Sequence, residues 1–511
     1  MSADWLRNAI FYEIYPQSFY SPEGKGVGTL QGIIDKLDYV MELGCDSIWL
    51  NPIYDSPFKD AGYDVRDYKK VAERYGTNDD AKKLFEEAHK RGMHILLDLV
   101  PGHTSEEHEW FKESSKAEVN EYSGRYIWTD SWFKGIPGRP YIGGEAERNG
   151  TYMLNFFKCQ PALNYGWVDP KESWQSSTDS EEAVATREAI KDVCFFWLEM
   201  GCDGFRVDMA DSLIKGDDTW HQTAALWKGM IGEIKSRFPD CAFVSEWCCP
   251  YIAVNEAGFD MDFFLDHGGN GYNFLVRDHE TEGEDRSYFR ADSGVSCEKF
   301  LNEFVPAYEA VKDNGYFSLI TGNHDTTRIS YGLSDRERKL AMAFILTMPT
   351  VPFIYYGDEI GMKYLDLKSF EGGYTRTGSR TPMQWDASVL EAGRRGDLYL
   401  PCDDSSDAPT VESLSKVPDS LFNIVKMLTK LRVSEDSLSA DTPFEVLYST
   451  GDSPLLVYRR GDLKIAVNPN SSEVSTGIDL GDVRPFWSIG EGKYEDGVLR
   501  MKPQSFVIFK A

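Results

Sequence analysis

Two distant stretches of this chain nearly copy each other: Glu42-Leu-Gly-Cys-Asp-Ser-Ile-Trp-Leu and Glu199-Met-Gly-Cys-Asp-Gly-Phe-Arg-Val. Each reads as the last turn of a helix, a glycine that stops it, and a short apolar strand. A helix that feeds such a strand repeatedly signals parallel β/α units, whose strands are buried on both faces. The pattern continues along the chain. Residues 10–19 read as a first strand, and 30–43 as a helix stopped by Gly44 before the strand 45–50. Residues 79–91 form an amphipathic helix closed by Gly92, then the strand 94–98. Helix 182–200, closed by Gly201, leads into 202–208. Helices at 221–237, 297–313 and 335–346 lead into strands at 241–246, 316–320 and 351–356. With a short strand at 261–264, eight strands are counted. The economical architecture is a closed (β/α)8 TIM barrel of class α/β.

Two connections are too long for ordinary barrel loops. Residues 101–178, rich in Gly, Tyr and Trp, read as a subdomain inserted after the third strand. Residues 357–416 follow the eighth strand, and long loops on that face build pockets. Beyond a helix at 418–432 the period changes. Leu455-Leu-Val-Tyr-Arg and Leu463-Lys-Ile-Ala-Val alternate between Gly, Asp and Asn turns, so 436–511 reads as a C-terminal antiparallel β-sandwich. The barrel is then built from 1–100 and 179–435. A length of 511 residues suits this division, being too great for one core.

A formal charge of −29 argues against nucleic acid or an anionic membrane as partner, since both would repel the chain. The start, Met1-Ser-Ala-Asp-Trp-Leu-Arg, lacks the apolar core of a signal peptide. No run approaches the roughly 18 apolar residues of a membrane span. The nine cysteines have no paired metal-type spacing, which points to reduced thiols in the cytoplasm.

Chemistry in such barrels sits at the C-terminal ends of the strands. Those ends read Asn51, Asp98 with His103, Arg206 with Asp208, Glu246, and His324 with Asp325. Arg206 and Asp208 are two apart and share a face, so the cation is expected to keep Asp208 ionised. An ionised carboxylate there suits a covalent nucleophile. A set of carboxylates kept only for folding would cost desolvation and mutual repulsion. Magnesium and calcium sites prefer oxygens clustered in one loop, and the basic residues would interfere, so a paired-carboxylate hydrolase fits better.

These residues fall in motifs. The chain resembles glycoside hydrolase family 13, the α-amylase family, and most of all its oligo-1,6-glucosidase and α-glucosidase branch. The resemblance runs through Gly62-Tyr63-Asp64, Asp98-Leu-Val-Pro-Gly-His103, Gln160-Pro-Ala-Leu-Asn164, Gly204-Phe-Arg-Val-Asp208, Val244-Ser-Glu246, Gly322-Asn-His-Asp325 and Arg380-Thr-Pro-Met-Gln-Trp-Asp386. It implies a retaining mechanism on a short oligosaccharide or a disaccharide. Asp208 would attack the anomeric carbon, and Glu246 would protonate the leaving oxygen and then activate water. That assignment asks for a raised pKa on Glu246 and a charged Asp208, with the two carboxyls about 5–5.5 Å apart. Asp325 would be the third acid, gripping sugar hydroxyls. His103 and His324 would donate to the same sugar, Arg206 would orient Asp208, and Tyr63 would stack on the ring. Asp60 with Arg376 and Arg380 match residues that close the pocket around a terminal glucose, which implies exo-action.

The chain also departs from the family. Gly102 stands where amylases carry a calcium-binding asparagine, and Ala162 replaces an aspartate. The loop Ser21-Pro-Glu-Gly-Lys-Gly-Val-Gly28 lacks the usual aspartates. No metal and no cofactor are expected. Met209, directly after Asp208, is neither the small residue associated with α-1,4 cleavage nor the valine associated with α-1,6. Otherwise Met209 and Cys159 read as packing. The expected activity is an exo-acting α-glucosidase. The alternatives are a transglycosylase or isomerase of the sucrose isomerase or trehalose synthase type, or an endo-acting amylase or cyclodextrinase.

Overall fold

A computed structural model describes residues 3–264, 271–280 and 283–511. Met1 and Ser2, the first residues of the stretch read against a signal peptide, lie outside the described residues. Eight strands form one parallel sheet: β1 (Phe11–Ile14), β2 (Ser47–Leu50), β3 (His94–Leu99), β4 (Gly204–Val207), β5 (Ala242–Ser245), β6 (Met261–Phe263), β7 (Tyr316–Ser318) and β8 (Phe353–Tyr355). From β1 to β7 each pairs with the next, and β8 pairs with β1, Phe11 lying opposite Phe353. Between β7 and β8 the backbone closes the ring through Val351 N–H to Phe317 O at 2.8 Å and Phe353 N–H to Leu319 O at 2.9 Å. The sheet is a TIM barrel.

The helices begin where the sequence supplies caps. Ser180 Oγ accepts from the Ala183 amide at the head of Glu181–Met200, and Gly201, at φ 119°, ends that helix. Gly204 is required for a different reason. A Cβ at that position would lie 1.9 Å from the Ala242 carbonyl of β5, so only glycine lets β4 enter beside its neighbour.

Several elements are shorter than the apolar runs that mark them. The first strand ends at Ile14, because Pro16 opens a helical turn, Pro16–Phe19. The helix read over 30–43 breaks at Lys36 into Leu30–Asp35 and Leu37–Glu42. Among the elements that went unread are a hairpin of Tyr54–Asp55 with Asp67–Val71 and helices at Pro250–Asn255 and Ala387–Arg395.

Inside the barrel, ring contacts link Phe11, Trp49, Phe263 and Phe353 into an aromatic layer. Two residues beyond Phe11, Trp49 and Phe353, on the same faces, stand Glu13, Asn51 and Tyr355. The aromatic layer therefore makes the base on which the polar site is built. Segment 101–178 carries little regular structure, chiefly Glu109–Ser114 and a hairpin of Tyr141–Gly143 with Thr151–Met153. The Ser105 amide ties it down by donating to Val65 O at 2.8 Å.

At the C-terminus a five-stranded and a three-stranded antiparallel sheet face each other. Strand alternation separates two surfaces. Leu455, Val457, Val507 and Phe509 pack against Leu499 and Met501 of the smaller sheet. Leu456, Tyr458, Phe506 and Ile508 join the core that continues into the barrel. No helix among the described residues is long and apolar enough to cross a membrane.

Candidate active site

Arg206 anchors the site. It leaves β4 almost fully buried, and its guanidinium lies 4.9 Å from the Trp49 ring. One nitrogen donates to Asp98 Oδ1 at 2.9 Å and Asp208 Oδ1 at 3.0 Å, and the other is 2.9 Å from Glu246 Oε2. One planar cation thus ties the ends of three neighbouring strands. Met209 follows in the left-handed region, at φ 42° and ψ 48°, an uncommon place for a side chain of this kind. The turn aims its amide at Glu246 Oε2, 2.9 Å away. Glu246 is therefore held from two directions by β4 and the turn after it.

On the opposite wall Asp325 Oδ1 accepts from Arg376 and Arg380, both at 2.8 Å. Arg376 reaches on to Asp60 Oδ1 at 3.5 Å, and Gln160 donates to Asp60 Oδ2 at 2.8 Å. Tyr63 stacks on His324 with ring centroids 5.2 Å apart, and its hydroxyl is 2.9 Å from Asp98 Oδ2. Together these groups enclose a cavity of about 260 Å³ lined by Asp60, Tyr63, His103, Phe156, Asp208, Met209, Glu246, Asp325 and Arg376. Larger hollows lie elsewhere on the molecule, but this one collects the acids.

The acids are tuned in different directions. Burial would raise Asp325, but the guanidinium groups of Arg376, Arg380 and Arg206 hold it far below the usual carboxylate range. Burial pushes Asp60 up to about 6 against Arg376 and Arg380. Asp98, fully buried, is pushed to about 6 although Arg206 draws it down. Asp208 is raised well above its ordinary value, first by burial and then by the Glu246 carboxylate, and Arg206 only partly offsets them. The expectation that Arg206 keeps Asp208 ionised is therefore corrected: burial and the Glu246 carboxylate outweigh the guanidinium. The guanidinium divides its attraction among three carboxylates, so no one of them receives all of it.

Of the ten residues singled out from the sequence, seven line the cavity: Asp60, Tyr63, His103, Asp208, Glu246, Asp325 and Arg376. Arg206, His324 and Arg380 stand behind its wall, each at most 2% exposed, where they hold the acids. His103 is at the wall but already engaged. Its Nε2 donates to Tyr63 O at 3.1 Å and its Nδ1 accepts from the Asn155 amide at 3.0 Å. Burial pushes it down to about 4, so it is a neutral imidazole. Met209, read also as packing, lines the cavity. Phe156 was missed; the adjacent pair Phe156-Phe157 just ahead of the Gln160 motif was its signal. Glu13 was missed as well, although a carboxylate in the apolar run Phe11-Tyr-Glu-Ile is conspicuous.

The alpha-amylase catalytic-domain profile matches residues 13–441. The chain belongs to the α-amylase family. An oligo-1,6-glucosidase of Heyndrickxia coagulans is 33% identical over 558 aligned positions, covering 96% of both chains. A trehalose synthase/amylase of Mycolicibacterium smegmatis is 29% identical over 89% of this chain and 80% of its own. Among solved structures, a trehalose-6-phosphate hydrolase of Bacillus licheniformis superposes with a TM-score of 0.80 at 27% identity, over 99% of each chain. The motif resemblance read from the sequence agrees with this placement.

Proposed function

We propose that the chain is an exo-acting α-glucosidase, a retaining glycoside hydrolase that acts on short α-glucans or disaccharides. The observation that carries this reading is Arg206 bridging Asp208 and Glu246 at one side of a small cavity whose other side is closed by Arg376 between Asp60 and Asp325. One guanidinium touching both carboxylates supports the closeness of about 5–5.5 Å that a retaining pair needs. The oligo-1,6-glucosidase relative supports the substrate class.

In this reading Asp208 attacks the anomeric carbon while Glu246 gives its proton to the leaving oxygen. Water then enters, Glu246 takes its proton, and the glycosyl–Asp208 bond breaks. The first step needs one proton on the pair, and it must reside on Glu246. Burial and the Glu246 carboxylate favour the neutral form of Asp208. A bound sugar brings hydroxyls that can donate to the Asp208 carboxylate, so its ionisation is tied to substrate binding. Asp325, kept charged by its two arginines, binds hydroxyls of the sugar. The cavity is below the roughly 300 Å³ of a drug-sized site, which suits one terminal ring.

We further propose that the functional divisions are the barrel (1–100 and 179–435), the inserted subdomain (101–178) and the C-terminal sandwich (436–511). None of the nine cysteines is in a disulfide, which supports a reducing, cytoplasmic setting. The decisive experiment incubates the protein with maltose, isomaltose, sucrose, trehalose and maltotriose, and follows the first product by proton NMR. Release of α-glucose from the non-reducing end is expected. A β-anomer as first product overturns retention, and isomerised disaccharide as the main product assigns the chain to the sucrose isomerase or trehalose synthase type.

A further inference from the structure

Glu13 places a carboxyl group where strands carry apolar side chains. It lies in β1, fully buried, and lines no part of the cavity. Its Oε1 is 2.9 Å from His324 Nδ1, and its Oε2 meets no hydrogen-bond partner among the described residues. Two bare acceptors do not rest at that separation, so a proton lies between them. Burial pushes Glu13 well above the usual carboxylate range, against Arg206. Burial likewise pushes His324 well below its ordinary value, against Asp325. The Asn51 amide nitrogen, which can only donate, also lies 3.2 Å from His324 Nδ1, so Nδ1 is an acceptor, the proton belongs to Glu13 and His324 is a neutral imidazole.

A neutral imidazole that accepts at Nδ1 carries its hydrogen on Nε2. That nitrogen is 2.7 Å from the Tyr63 hydroxyl. The same hydroxyl oxygen accepts from the Asn51 amide at 3.2 Å. With these donors aimed at its oxygen, Tyr63 gives its own hydrogen to Asp98 Oδ2 at 2.9 Å. Asp98 Oδ1 in turn accepts from Arg206, the cation that holds Asp208 and Glu246. The opposite polarity, with Tyr63 donating to His324, would set the Tyr63 lone pairs against Asp98 Oδ2.

We propose that Glu13 is a positioning residue, a neutral acid beneath the pocket that fixes the direction of the hydrogen-bond chain Glu13–His324–Tyr63–Asp98–Arg206 and so the orientation of the guanidinium binding both carboxylates. This rests on reading the cavity as a glycosidase active site. The charged and titratable groups around Glu13 are His324 and Asp325 after β7, Asp98 on β3, Arg206 on β4 and Tyr355 on β8.

Two substitutions test it. Glu13→Gln keeps an uncharged donor beside Nδ1, whereas Glu13→Met fills similar volume with none. Glu13→Gln is expected to retain most of the wild-type kcat, with both limbs of the pH–kcat profile in place. Glu13→Met is expected to lose kcat on the order of 10²-fold, with KM changed less and thermal stability kept or raised. A displaced limb in Glu13→Gln means that Glu13 is ionised, and overturns the proposal. Equal losses in both variants, or full kcat in both, overturn it too. Should Glu13→Met not fold, the Glu13→Gln profile still decides. Asp208→Asn is the control: turnover by that variant would defeat the active-site reading itself rather than the role of Glu13.

Discussion

Asp203 and Asp208 stand at opposite ends of one short strand, and their surroundings drive them in opposite directions. At the N-terminal end, Asp203 Oδ2 accepts from the Ile95 amide at 2.8 Å, with His89 Nε2 at 3.0 Å, and its Oδ1 lies 3.1 Å from His94 Nδ1. Trp5 stacks on His94 at 4.0 Å. Burial would raise Asp203, but the hydrogen bonds from His89, His94 and Ile95 outweigh it and lower its pKa. At the C-terminal end, Asp208 shares one arginine with two other carboxylates and is raised. One carboxylate is satisfied by its neighbours and the other is crowded by them. The contrast matches the division of such barrels into a stabilising and a reactive face.

The comparison breaks first, and hardest, at Asp208. Asp208→Asn is expected to lower kcat by about 10⁴-fold or more. Because the folded-state pKa is raised, the ionised group costs stability at pH above its unfolded value of about 3.9. The variant should therefore melt higher than wild type at neutral pH, and the gain should vanish below about pH 4. A lower melting temperature at pH 7 would contradict the crowding argument. Arg206→Lys comes next. An ammonium cannot span three carboxylates, so kcat should fall on the order of 10²-fold, and the variant should lose about 3–5 kcal/mol in urea unfolding as buried acids go unpaired.

Asp203→Ala sharpens the contrast from the other end. Turnover should be unchanged, while stability falls by about 1–3 kcal/mol because the buried Ile95 amide and two imidazoles lose their acceptor. The pH dependence has a definite sign. The lowered Asp203 stabilises above pH of about 3.9 and loses this as pH falls; His89, raised by Asp203, stabilises below about 6.5 and loses this as pH rises. The melting difference between wild type and variant should be widest between those values. Met209→Ala is the smallest change. By widening the cavity beside Asp208 it should shift the ratio of kcat/KM for isomaltose over maltose by no more than about tenfold, read from initial rates.

The barrel was legible because its signals are local. A helix, a glycine and a buried strand occupy neighbouring residues, and the near-copy of 42–50 at 199–207 declares one unit twice. The boundaries were less legible: Pro16 converts the end of an apolar run into a helical turn, and Lys36 interrupts a periodic one. The acids were legible too, since barrel chemistry gathers at strand ends. Their protonation was not, because it depends on how many carboxylates meet one guanidinium.

The sequence by itself determined the order of strands and helices, the family, and which side chains stand at the rim. Only the tertiary structure decided which of them face the cavity and which stand behind it. Arg206, His324 and Arg380 read the same as Arg376 and His103 along the chain, yet packing from other strands closes over them. Interactions set by adjacent residues can be read from order alone, whereas electrostatics and burial depend on distances between residues hundreds of positions apart.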